Sequence, residues 1–358
     1  VSERMPRAGT LATTTGTAGQ PARGRRRRLP PGATLGIAVG LLAVVAIASL
    51  AIGARQIPFD VVVQAFTSPV PGDADHVVVR DLRLPRAVIG IMAGAALGVV
   101  AALLQGSTRN PLADPGLLGI NAGASLAVVV AIAFLGIASP FGFIWFAFGG
   151  AAVAAAIVYA IGSSGGAGAS PAKLALTGAA LTAAATPLIT LLLISDESTL
   201  SQYRFWSVGS LAGRGIDTVA VLWPFLLVGL VLAGWLAGRL NLLALGDDVA
   251  RGLGVRLATA RVVTAVAVIV LAGTATSLAG PIALLGLAVA HAARGLVGGD
   301  YRWLTPLAGV LGAIVLLAAD VIGRVVVAPA ELEAGIVAAI VGAPVLIALV
   351  RRGGAATL

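Results

Sequence analysis

The chain contains no cysteine, which excludes disulfides, thiolate metal sites and a cysteine nucleophile. Charge is scarce as well: only 11% of its 358 residues are charged, against about a quarter in a soluble domain. Lysine occurs once, at Lys173. It follows Ser-Pro-Ala rather than the glycine of a phosphate-binding loop, so no nucleotide site is legible. The two histidines, His76 and His291, have no carboxylate cluster at ligand spacing, and His291 reads as a helix-end residue. Ionisable groups are nearly absent from the middle of the apolar runs, and Asp320 sits close to the end of one. No proton relay and no convergent Ser/His/Asp or metal constellation can be assembled from what is left. These absences argue against a membrane enzyme. If the chain drives transport, the energy must enter from outside the apolar runs.

What is abundant is apolar. The sequence is 58% hydrophobic and carries 47 glycines. Runs close to the roughly 20 residues that cross a bilayer recur along it, so the fold class is an all-α polytopic membrane protein. Ten runs are legible, at about 35–52, 87–106, 116–137, 141–162, 174–194, 218–238, 262–279, 281–297, 304–322 and 334–350. Glycine and alanine inside them suit helices that approach closely in lipid.

Residues 1–32 hold Thr, Gly, Ala, Pro and Arg with little to bury, and read as a disordered basic cytoplasmic tail. Arg25–Arg28 ahead of an apolar run imitates a signal peptide, but the run reads as a retained first helix. The transmembrane domain is expected over 33–352, with a short C-terminal cytoplasmic tail at 353–358. The net charge of +9 is spread over span ends and lacks a basic stripe with interleaved aromatics, so nucleic acid is not an expected partner. With ten spans and both termini in the cytoplasm, the inner side holds the tail arginines with Arg109, Lys173, Arg239, Arg251, Arg256, Arg261, Arg294, Arg302, Arg351 and Arg352. The outer side holds Arg55, Arg80, Arg83, Arg86, Arg204, Arg214 and Arg324. The inward bias fits a multi-pass protein of the cell membrane, with lipid as its solvent.

One stretch breaks the apolar pattern. Between Arg239 and Arg261 lie Asp247, Asp248, Arg251 and Arg256, too many charges to cross a bilayer. Leu243, Leu245, Val249, Leu253 and Val255 recur at helical spacing, and acidic residues follow Gly246 where a helix start favours them. Gly252 and Gly254 permit a break into a second short helix. The pattern is that of a charged helical pair at the membrane surface for a partner to grip; a solvated loop is the alternative.

Several segments, in order, resemble one family. They are LRLPR (82–86), GAALGVVAALLQGSTRNPLADPGLLGINAGAS (94–125), FWSVGSLAGR (205–214), LGDDVARGLGV (245–255), GPIALLGLAVAHAARGLVGGDYRWLTP (280–306) and ADVIGRVVVAPAELEAGIVAAIVGAP (319–344). Together they look like the FecCD-like permeases of binding-protein-dependent ABC importers for iron-siderophores, haem and cobalamin. The resemblance implies a type II importer permease of about ten helices, paired with a second permease subunit, identical or different. A cytoplasmic ATPase dimer would dock below and an extracytoplasmic substrate-binding protein above. The permease itself would hydrolyse nothing and hold no cofactor, ATP being bound by the partner. Ferric siderophore is the preferred substrate class by association, with cobalamin or haem as alternatives.

The same resemblance makes about 243–257 the coupling helices, with Gly246, Asp247, Asp248, Arg251 and Gly254 carrying the ATPase contact. It makes Arg83, Arg86 and Arg324 contacts to acidic residues of the binding protein, a role that suits guanidinium. It puts Pro171 and Ala172 of SPAKLAL (170–176) at the inner gate, where small polar residues are more usual. Ala290 and Glu333 stand where the family often has proline, so the bend of the eighth span and the surface near Glu331 are expected to differ. A solitary secondary carrier or channel is the rival reading, and its transport would be uncoupler-sensitive without ATPase partners.

Overall fold

The computed structural model describes residues 29–116, 118–137, 139–162 and 171–351. The expected tails lie outside them, apart from 29–32. Among the described residues there is no strand. The first span is α1 (Pro31–Ala51), with proline in its first turn, where a missing amide hydrogen costs nothing. Two short helices follow, α2 (Phe59–Thr67) and α3 (Ala74–Val77). Asp73 caps the latter, accepting from the amides of Asp75 at 2.9 Å and His76 at 3.0 Å. A π-helical turn, Val78–Arg83, runs directly into α4 (Leu84–Thr108).

Next come α5 (Ile120–Leu135), α6 (Pro140–Gly162) and α7 (Pro171–Ser195). The short α8 (Glu197–Ser207) is capped by Asp196, which accepts from the hydroxyls of Thr199 at 2.5 Å and Ser198 at 2.7 Å. Those bonds hold its carboxyl at about 2. After α9 (Ile216–Leu243) and the short α10 (Asp247–Gly252) come α11 (Leu257–Ala279), α12 (Leu285–Val297), α13 (Tyr301–Val326) and α14 (Ala334–Arg351). All ten expected apolar runs thus become helices.

The centre of the molecule is α4 against α13, and small residues put them there. Gly90, Gly94 and Gly98 lie one turn apart on α4. A methyl group on Gly94 would land against the backbone of Gly312, and one on Gly98 against the carbonyl of Ala308. Lipid gives no hydrophobic drive between helices, so backbone contact of this kind supplies the packing. α4 is 25 residues, about 37 Å at the usual rise, and fixes two ends of the molecule. One end carries Arg86 and, from α13, Arg324. The other carries Arg109 and, from α13, Tyr301. Arg86 and Arg324, assigned to one side from sequence, thus lie at the opposite end from Arg109, assigned to the other.

Two helices fall short of the length expected. Among the described residues seven helical segments are long and apolar enough to cross a membrane, whereas Ile120–Leu135 and Leu285–Val297 are shorter apolar helices. The runs expected at 116–137 and 281–297 each begin in irregular backbone. In the first, turns around Asn110 and Pro115 delay the helix to Ile120. In the second, Gly280 and Pro281 hold it back to Leu285, and Leu284 takes the left-handed conformation at φ 65°. Non-helical backbone at membrane depth is tolerated where protein buries it or it lines a cavity.

Candidate functional site

The charged stretch between α9 and α11 is built, not slack. Gly246 turns at φ 109° and Gly254 at φ 85°, backbone angles that any Cβ would oppose, and between them α10 forms. Ala250 is buried against the body, while Leu245, Val249 and Leu253, four residues apart, face outward. Beside this apolar ridge Asp248 is 96% exposed and pairs with Arg251 at 2.6 Å. Asp247 points the other way. It is paired with Arg109 at the end of α4 and, at 2.6 Å, with Arg261 on α11. Asn241 adds a third tie: its amide donates to Asp300 at 2.6 Å, and its carbonyl accepts from the Tyr301 amide at 2.9 Å. The Asn241 bond also holds the Asp300 carboxyl below the usual range. α10 is therefore a ridge presented to solvent and bolted to the end of α4 and to α11, while the end of α9 just before it is tied to the start of α13.

The opposite end holds a cluster of arginines. Arg86 donates from Nε to Asp320 Oδ1 at 2.8 Å and from Nη1 to Glu331 Oε2 at 2.6 Å. Arg324 lies 3.1 Å from Asp320 Oδ2 and donates to the Ser49 carbonyl at 3.1 Å. Arg83 donates to the carbonyls of Leu50, at 2.7 Å, and Arg55. Asp320 is fully buried. Three cations face two carboxylates, and together they tie the end of α1 and the 327–333 connection to α4 and α13.

Between the ends, the two shortened helices meet a cavity of about 640 Å³. Its walls are largely apolar, with Leu112, Leu284 and Leu287, but Ser125, Thr182, Thr186, Thr190 and Tyr203 bring hydroxyls. The threonine hydroxyls donate to carbonyls four residues back at 2.8–2.9 Å, which leaves their oxygens free as acceptors. Asp114 lines it too, with Oδ1 accepting from the Gly116 amide at 2.8 Å. The strained backbone of Leu284 sits in the same wall. The cavity brings together broken helices, acceptor groups and a buried carboxylate.

Comparison with known proteins decides the class. The family model of the FecCD transport family matches residues 41–352. The chain belongs to this family. It is 47% identical over 330 residues to the ferric enterobactin transport system permease protein FepD of Escherichia coli strain K12, covering 90% of this chain and 98% of that one. It is 44% identical over 292 residues to YfiZ of Bacillus subtilis strain 168, named a probable siderophore transport system permease protein, covering 82% and 87%. The fold matches a solved inward-facing structure assigned to the metal-chelate type of ABC transporter, with a TM-score of 0.79 and 28% identity over 90% of this chain and 99% of that one. The protein is a multi-pass membrane permease.

In this FecCD permease the expected site residues are placed unequally. Gly246, Asp248, Arg251 and Gly254 shape or flank the exposed ridge. Asp247 does not: it is an internal anchor, its carboxylate only 29% exposed and held by two guanidiniums. Arg83, Arg86 and Arg324, expected as contacts to a binding protein, are engaged within the chain. Arg83 and Arg324 are buried, at 6% and 3% exposure, and Arg86 is spent on two carboxylates. Pro171 opens α7, but the side chains of Pro171 and Ala172 lie outside the described residues. His76 is satisfied, accepting at Nδ1 from the Val70 amide at 3.0 Å.

Sequence reasoning missed Asn241, Arg109, Arg261 and Asp114. The last was passed over because it lies between apolar runs, where a loop at the membrane surface is the natural reading. Its Oδ2 stands instead beside Gly286, next to the Leu97 carbonyl in the middle of α4. The Pro-rich turns of Asn110–Pro115 were the signal for a chain that folds back inward.

Proposed function

We propose that this permease moves a ferric chelate of the siderophore type into the cytoplasm, as the membrane subunit of a binding-protein-dependent ABC importer. The observation that carries the reading is the outward ridge of Leu245, Val249 and Leu253 on an anchored helix. Such a ridge, flanked by Asp248 and Arg251, suits a groove on an ATPase subunit. A push on α10 would pass through Asp247 to Arg109 and Arg261 and so reach α4 and α11 together. The siderophore assignment leans on the names of the two relatives and on the chelate-transporter fold.

In this reading the α10 end and both termini are cytoplasmic. The cavity between α5, α7 and α12 lies on the chelate's path, with Pro171 and Ala172 at its inner constriction. Exposed Leu188, Leu191 and Ile194 on α7 favour a second permease subunit beside it. The binding protein docks on the Arg86 end. Arg83, Arg86 and Arg324 serve it indirectly, by fixing Glu331 and the 327–333 connection, rather than as direct contacts. ATP is bound and hydrolysed by the partner.

Purification of the chain from its native membrane in mild detergent tests the coupling. An ATPase subunit is expected to co-purify, and to be lost when Val249→Asp and Leu253→Asp are combined. Arg251→Ala alone, which removes only an exposed pair, is expected to weaken retention about twofold to fivefold. Recovery of well-folded protein with no ATPase, or an ATPase still bound to the double aspartate variant, removes α10 as the coupling element.

A further inference from the structure

A second cavity, of about 460 Å³, opens at the α10 end between α4, α6 and α11. Its body is apolar, with Val158, Val268 and Ile269. Its mouth is charged, with Arg109, Arg261 and Asp247. Two guanidiniums face one carboxylate there, so the mouth carries an excess of one positive charge. Neither cation is exhausted by Asp247, because a guanidinium has five donors and the Arg109 and Arg261 side chains are 44% and 35% exposed. Arg109 closes α4 with a left-handed backbone, φ 51°.

We propose that this cavity is a binding site for an anionic phospholipid, the phosphate resting on Arg109 and Arg261 and an acyl chain lying along Val158, Val268 and Ile269. The division of the cavity selects this ligand class. A soluble phosphate has no use for the apolar body, and a zwitterionic lipid brings a cation of its own to a mouth already positive. Guanidinium binds phosphate oxygens in a planar, directional manner that a diffuse surface charge does not. Basic pockets between helices at the membrane surface are where charged headgroups are held. The site is independent of what the permease transports.

The test is native mass spectrometry of the full chain, delipidated in detergent and then offered phosphatidylglycerol or phosphatidylcholine with identical acyl chains. With a net charge of one at the mouth, phosphatidylglycerol is expected to be retained roughly fivefold to tenfold better. The pair Arg109→Gln and Arg261→Gln should abolish that preference. Because those changes also free Asp247, a second variant keeps every charge: Ala265→Trp fills the cavity from its α11 wall and should expel the retained lipid. Equal retention of the two lipids overturns the proposal. So does undiminished phosphatidylglycerol on Ala265→Trp, which would mean adsorption outside the cavity. Displacement by millimolar glycerol phosphate also overturns it, in favour of a soluble phosphate ligand.

Discussion

Asp320→Ala is expected to cost about 3–5 kcal/mol, the range for removing one partner of a buried ion pair. The carboxylate is fully buried and holds Arg86 at 2.7 Å and Arg324 at 3.1 Å. Without it two guanidiniums stay in the protein interior with only Glu331 to face. The network is already taut: Asp320 Oδ2 and Arg324 Nε have no aligned hydrogen-bond partner, although their side chains form an ion pair. Asp320→Asn keeps an acceptor but not the charge, so it should recover only part of the loss. Combining Asp320→Leu with Arg324→Met removes one charge of each sign and should cost less than Asp320→Ala alone. Thermal loss of monodisperse protein in detergent measures all three. Melting of Asp320→Ala alongside the unmodified chain would show that the cluster contributes nothing to the fold.

The second large effect is expected at Gly98. Even Gly98→Ala places a methyl group against the Ala308 carbonyl, backbone that no rotamer change can move aside. The helices α4 and α13 must separate along the most closely packed seam of the molecule. A cost of about 2–4 kcal/mol is expected, at or above the usual range for overpacking. Gly234→Ala on α9 is the matched control. Nothing lies within 4 Å of the methyl position there, and alanine is the better helix former by about 1 kcal/mol. That variant should be neutral or stabilising. Equal destabilisation of both would point to a general loss of helix flexibility instead of a steric seam.

The sequence was a good guide to what repeats and a poor guide to what pairs. Apolar runs announce helices because the bilayer demands a length and an internally bonded backbone. The α10 helix was legible too, since its charges cannot enter lipid and its glycines mark the turns. What one sequence cannot show is the partner of a polar side chain. Asp247 and Asp248 are adjacent and chemically alike, yet one anchors and the other faces solvent, a choice made by Arg109, 138 residues away in the chain. The arginines of the opposite end were expected at an interface because the resemblance put them there and guanidinium suits a carboxylate partner. Burial of Asp320 turned them inward. Asp114 escaped for a related reason: whether a short connection stays at the surface or folds into the bundle depends on the cavity waiting for it.

The central claim is that ATP hydrolysed by a partner drives a ferric chelate through this permease. Uptake of radioactive ferric chelate by cells lacking and then regaining this chain tests it most directly, with ATP and the proton gradient manipulated separately. Uptake should require the chain, stop when ATP is depleted, and persist when an uncoupler collapses the gradient with ATP maintained. Uptake that stops with the uncoupler and ignores ATP would contradict the account and make the protein a carrier that works alone.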